Sequence, residues 1–182
     1  MTYDLVVFSP LRKLRNRSKF LAWLESRTRW VDELDYNDPS HAAKALQAWY
    51  WDMIELFPPR YGHHRVSEST AGKGFIADYG IAPDLIHVSF EPARAELAYQ
   101  TVHRLAARHA LGFFDIRRGE AWFPGPRKTL EIAHQGPKIS GLDGPHTAAA
   151  FGARPEPDIA TVTAPEAARS AGAATMPAPD LP

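Results

Sequence analysis

Residues 97–124, LAYQTVHRLAARHALGFFDIRRGEAWFP, decide the fold class. Their first half carries small and apolar residues at helical spacing: Leu97/Ala98, Thr101/Val102, Leu105 and Ala106/His109. Gly112 stands where a left-handed residue would end such a helix. Residues 113–116 and 120–123 then read as two strands joined across Arg117-Arg118-Gly119. A helix running into a hairpin predicts an α+β protein.

Working outward, Tyr3-Asp4-Leu5-Val6-Val7-Phe8 is β-rich and ends at Ser9-Pro10. A first helix is expected over 15–30, with Phe20, Trp23, Leu24, Arg27 and Trp30/Val31 recurring on one side. The acidic loop DELDYNDP follows. Asp38 is a natural N-cap there, and Pro39 fits the first helical position, where a missing N–H costs nothing. A second helix should run from there to Phe57, burying Leu46, Trp49/Tyr50, Met53 and Phe57, and stop at Pro58-Pro59. Residues 60–73 read as an exposed loop. Residues 74–79 and 84–90 read as strands joined through 80–83, and Glu91-Pro92 opens the third helix.

The expected order is β-α-α-β-β-α-β-β: a small antiparallel or mixed sheet of about five strands with three helices packed on one face. This domain should occupy residues 1–135. Residues 136–182 are rich in Ala, Pro and Gly, with Phe151 as the one aromatic. Such a stretch buries too little apolar surface to offset about 1–2 kcal/mol of ordering cost per residue, which predicts a disordered tail.

Composition narrows function. Lys and Arg number 18 against 16 Asp and Glu in residues 1–135, and 3 against 5 beyond, so neither part has the basic excess that predicts nucleic-acid binding. The absence of cysteine excludes disulfides, thiolate metal sites and Cys nucleophiles together. The order of apolar residues 5–8 before basic residues 12–19 is the reverse of a signal peptide, and no stretch approaches a bilayer span. A cytoplasmic protein with no membrane partner is the expectation.

Chemical motifs are thin. His63-His64 with Glu68 is the one candidate metal site, the basis for reading a small metal-dependent enzyme, although its spacing matches no defined zinc pattern. Residues 67–74, SESTAGKG, lack the hydroxyl that must follow the lysine of a phosphate loop. His103 and His109, six apart on one helix, cannot share a site. His87 could form a polar site with Asp78 and Tyr79, or be a simple cross-strand pair. No catalytic residues, metal or cofactor are assigned on these grounds.

Charge and aromatic clusters remain. Arg12, Lys13, Arg15, Arg17 and Lys19 crowd a helix start, where the dipole disfavours them. They are either an anion- or partner-facing patch or a solvated helix face. Asp32, Glu33, Asp35 and Asp38 form either a partner-binding clamp for a basic surface or a loop enriched in Asp for local reasons. Trp49-Tyr50-Trp51 point about 100° apart on a helix, so one must leave the core; Trp51 is the candidate binding residue, or else a core-boundary residue.

Three segments carry a resemblance: the opening YDLVVF, the helix end Leu105-Ala-Ala-Arg-His109-Ala-Leu111, and Phe113-Phe114-Asp115 followed by Trp122-Phe123-Pro124. Over about residues 1–125 the chain resembles small bacterial α+β proteins encoded beside polymorphic or type VI secretion toxins, many regarded as immunity proteins. Those commonly begin YDLxVW and close with LAxxHxL, an FDP-type strand and a final strand; here Phe8 replaces the tryptophan and Ile116 the proline. The resemblance implies a cytosolic inhibitor that binds a cognate toxin and blocks its active site, with no catalytic residues of its own. The remaining alternative is an adaptor whose Pro/Ala-rich tail recruits a partner.

Overall fold

The computed structural model describes residues 2–28 and 34–137. Among these are six strands: β1 (Tyr3–Phe8), β2 (Asp78–Ile81), β3 (Leu85–Phe90), β4 (Gly112–Asp115), β5 (Glu120–Pro124) and β6 (Leu130–His134). The helices are α1 (Arg17–Arg27), α2 (Lys44–Ile54), the single turn α3 (Glu68–Ala71) and α4 (Ala95–Arg108). The strands form one antiparallel sheet in the order β2-β3-β1-β4-β5-β6. The α+β class is as the sequence predicts; the sheet has one strand more than expected, because β6 follows the hairpin.

β1 is central, with Leu5 opposite Val88 on one side and Asp115 on the other. All six of its residues are buried, and a strand pleat sends alternate side chains to opposite faces. Tyr3, Leu5 and Val7 join Ile86, Val88, Phe90 and Phe113 in a core with Leu46, Trp49, Tyr50 and Met53 of α2 and Ala98, Val102 and Leu105 of α4. Val6 and Phe8 join Leu85, Phe114 and Phe123 in a second core, sealed by Leu14 and by Phe20 and Leu24 of α1. The helices therefore cover both faces, which corrects the expectation of one. A strand run of LVVF without polar alternation has apolar side chains for two cores, and each needs its own cover.

Three local expectations also shift. Gly80 and Ile81 belong to β2, so the β2–β3 turn is Ala82–Asp84, and the strand starts at Asp78 because residues 72–75 turn through positive-φ Gly72 and Gly74. The second helix is split: Pro39–His41 form a 3₁₀ turn capped by Asp38, and the α-helix begins only at Lys44. Gly112 does not stop α4. Ala110, at φ 54°, takes the left-handed position; the Leu111 and Ala110 amides donate to the carbonyls of Ala106 and Ala107, a Schellman closure with Leu111 as its buried apolar partner. Gly112 serves the second core instead, as the register partner of Phe8.

Candidate partner-binding surface

The acidic loop is organised by its own side chains. Asp35 Oδ1 accepts from the backbone N–H of Asn37 at 3.0 Å, an Asx turn. Asp38 Oδ1 accepts from the Ser40 N–H at 2.8 Å, and its Oδ2 from the Ser40 hydroxyl at 2.7 Å. These bonds, the hydroxyl's first, hold the Asp38 carboxyl below its ordinary range, with His41 and His63 adding attraction. Asp38 thus caps a turn, while Asp35 is exposed. Asp32 and Glu33 lie outside the described residues.

Residues 59–65 come up against this loop. Gly62, at φ 85°, sits so close to Asn37 that a Cβ would lie 3.0 Å from the Asn37 Cβ. Its left-handed backbone and missing side chain let the two loops touch. Between them opens a hollow of about 510 Å³ lined by Asp35, Asn37, Gly62, His63 and Arg65. His64 turns the other way, edge-on to Trp51 with ring centroids 4.7 Å apart. Trp49 and Tyr50 are buried and Trp51 is 44% exposed, so the aromatic that leaves the core is the expected one. Asp35, Asp38 and Trp51, three residues picked out from the sequence, are thereby linked through the adjacent His63 and His64.

The other candidates disperse. His63 lines the hollow and His64 packs on Trp51, and among the described residues no group of three or more His, Asp or Glu is arranged to hold a metal ion. His103 lies against Tyr99 and Trp122, whereas His109 meets Asp52 of α2 at 2.7 Å, so the two histidines serve separate contacts. In the basic cluster, the Arg15 guanidinium lies 5.1 Å from the Phe123 ring centre. Arg17 donates to the carbonyls of Gly119 at 2.9 Å and Pro137 at 3.0 Å. Two of those five cations therefore have structural partners, and Asn16 supplies the N-cap that the cations cannot.

The polar site expected at His87 and Asp78 takes in two residues that the sequence reading did not include in it, Asp4 and Ser89. Asp4, Ser89 and Asp78 stand in register across β1, β3 and β2, on the α1 side of the sheet, with His87 two residues along from Ser89. Asp4 accepts from the Ser89 and Thr2 hydroxyls, Asp78 accepts from Arg60 Nε at 2.8 Å, and His87 Nε2 lies 3.9 Å from Asp4. Burial pushes the His87 imidazole down, the Asp4 carboxylate opposing it, and burial likewise raises the Asp78 carboxyl. Tyr79 points to the opposite face, its hydroxyl donating to the Phe57 carbonyl at 2.6 Å, so the pairing of His87 with both Asp78 and Tyr79 does not form. The alternation of Asp4 with Val6 held the signal, but only the β1–β3 register could reveal the row.

No helix of the described residues is long and apolar enough to cross a membrane. Comparison of the chain with protein-family models, with curated proteins and with solved structures finds no match in any of the three.

Proposed function

We propose that this protein is a cytoplasmic immunity protein that binds a bacterial toxin and occludes its active site. The observation that carries the reading is an exposed Trp51 packed on His64, next in the chain to His63 of an open hollow that Asp35 also lines. An exposed aromatic near a polar recess that holds both Asp35 and Arg65 suits a partner presenting an apolar side chain for Trp51 and charged groups for the recess. The resemblance of residues 1–125 to immunity-type proteins supplies the class of partner. An interface of ordinary size would bury about 1,200–2,000 Å² and extend past these residues on every side.

The test is co-expression with the toxin encoded beside this gene. Cells carrying both should grow, and the purified pair should co-elute. Asp35→Lys should slow association at low salt, because like charge would replace complementary charge at the rim. Toxicity undiminished by the protein would end the proposal.

A further inference from the structure

Two neighbouring residues of the β5–β6 turn hold a backbone that their side chains disfavour. Arg127 (φ 55°, ψ 36°) and Lys128 (φ 58°) are both left-handed. They are the central pair of a four-residue turn, which the Thr129 N–H closes onto the Pro126 carbonyl at 3.2 Å. Asn-Gly is the usual occupant of such a pair, because a longer L side chain meets a steric penalty there. Elsewhere among the described residues, positive φ is met by Gly62, Gly72, Gly74 and Gly119, or by Ala110 in the closure of α4. At Arg127 and Lys128 the fold gains no contact in return. Both are exposed, and neither side chain makes a hydrogen bond, ion pair or ring contact with a described residue. Glu131 of β6 turns its carboxylate to Gly125 instead, where an added Cβ would lie 2.8 Å from its Oε1.

A second pair of cations stands beside this turn. Phe123, near the end of β5, packs with Leu14 in the core under α1, and the Arg15 guanidinium lies 5.1 Å from its ring centre. Those contacts set the 3₁₀ turn Arg12–Arg15 against the end of β5. Leu14 is buried, whereas Arg12 and Lys13 are exposed and have no ion pair among the described residues. The described chain ends away from this surface. Pro137 meets Gly119 in the β4–β5 turn, at the other end of the β5 strand.

We propose that Arg12, Lys13, Arg127 and Lys128 form a docking surface for an acidic segment of a partner protein. Such a partner supplies the carboxylates that the fold withholds, and it accounts for two strained positions keeping long cationic side chains. The surface is independent of the reading given above for the toxin. It lies at the β5–β6 end of the strand order, whereas the acidic loop of the Asp35–Trp51 surface adjoins β2 through the Tyr36 carbonyl. An acidic polypeptide fits it better than nucleic acid does. The chain has no net positive charge to extend the field, and its most exposed aromatics, Trp51 and Tyr61, stand elsewhere, so no base would find a ring to stack on.

The test titrates poly-L-glutamate into the full-length chain at about 50 mM salt, where screening is weak. Binding should saturate and weaken as salt is raised. Arg127→Asn with Lys128→Gly should weaken it by about five- to tenfold and, by relieving the strain, raise Tm by several degrees. Arg12→Gln with Lys13→Gln should weaken it to a similar extent. Arg104→Gln with Lys44→Gln removes the same charge from exposed positions elsewhere and should change binding by less than about twofold. Equal losses from this last pair would reduce the effect to net charge and overturn the inference. So would an unchanged Tm in the first variant, or no effect of the Arg12 and Lys13 changes. Tighter binding of the native chain to duplex DNA, or to vesicles of phosphatidylserine and phosphatidylcholine in equal parts, would overturn it as well.

Discussion

Between Phe8 and residue 112 there is room for one aromatic ring and nothing more. A Cβ on Gly112 would fall 2.3 Å from two carbons of the Phe8 ring, which is itself enclosed by Phe20 and Phe123 at centroid distances of 5.2 Å. Gly112→Ala should therefore destabilise the protein by about 1–3 kcal/mol, the usual cost of overpacking, as read by urea denaturation. The paired tryptophans make the complementary case. Trp49 is wholly buried beneath α2, so Trp49→Ala should cost about 3–5 kcal/mol. Trp51→Ala should change stability by less than about 1 kcal/mol and yet, on the proposed function, weaken binding of the partner toxin. Equal losses of stability for the two variants would mean that Trp51 is a packing residue and not an anchor.

At the scale of the element, α4 carries a removable imperfection. Its closure needs a left-handed residue, and Ala110 occupies that position at φ 54°, where glycine meets no steric penalty. Ala110→Gly should raise stability by about 1 kcal/mol, visible as an increase of several degrees in Tm. α1 has the opposite history. Its basic first turn runs against the helix dipole, but Arg17 bonds the Gly119 and Pro137 carbonyls and so ties α1 to both the β4–β5 turn and the chain beyond β6. The asymmetry of the sheet edges belongs to this scale as well: β2 is met by loop carbonyls, whereas β6 pairs on one side alone among the described residues.

For the whole molecule, the buried histidine sets an acid limit. Desolvation depresses the His87 imidazole to about 4 from an ordinary 6.5, with the Asp4 carboxylate opposing, and partial burial also lowers His103 and His134. The folded state thus binds fewer protons than the unfolded chain between those limits. Stability from this source is complete above about pH 6.5 and is lost as the pH falls toward about 4. Urea titrations between about pH 7 and pH 4.5 should show a decline of about 2 kcal/mol, and His87→Leu should have a shallower slope. Parallel slopes for the two proteins would place the acid sensitivity elsewhere.

What the residues determined alone was local. The apolar periods of α2 and α4 and the exit of one aromatic from Trp49-Tyr50-Trp51 are written within windows of a few residues, and the structure keeps them; the cap at Asp38 serves a 3₁₀ turn instead of α2, and α2 ends at Ile54, before Pro58-Pro59. The tertiary structure decided the rest. It put β1 between β3 and β4, sent α1 to the far face, turned Gly112 from a helix stop into a seat for Phe8, and brought the acidic loop to Trp51 through Gly62 and the two histidines. Those outcomes depend on register between segments up to about a hundred residues apart, as when Tyr3 finds Asp115. Periodicity says which face of an element is apolar; only the packed sheet says what that face will meet.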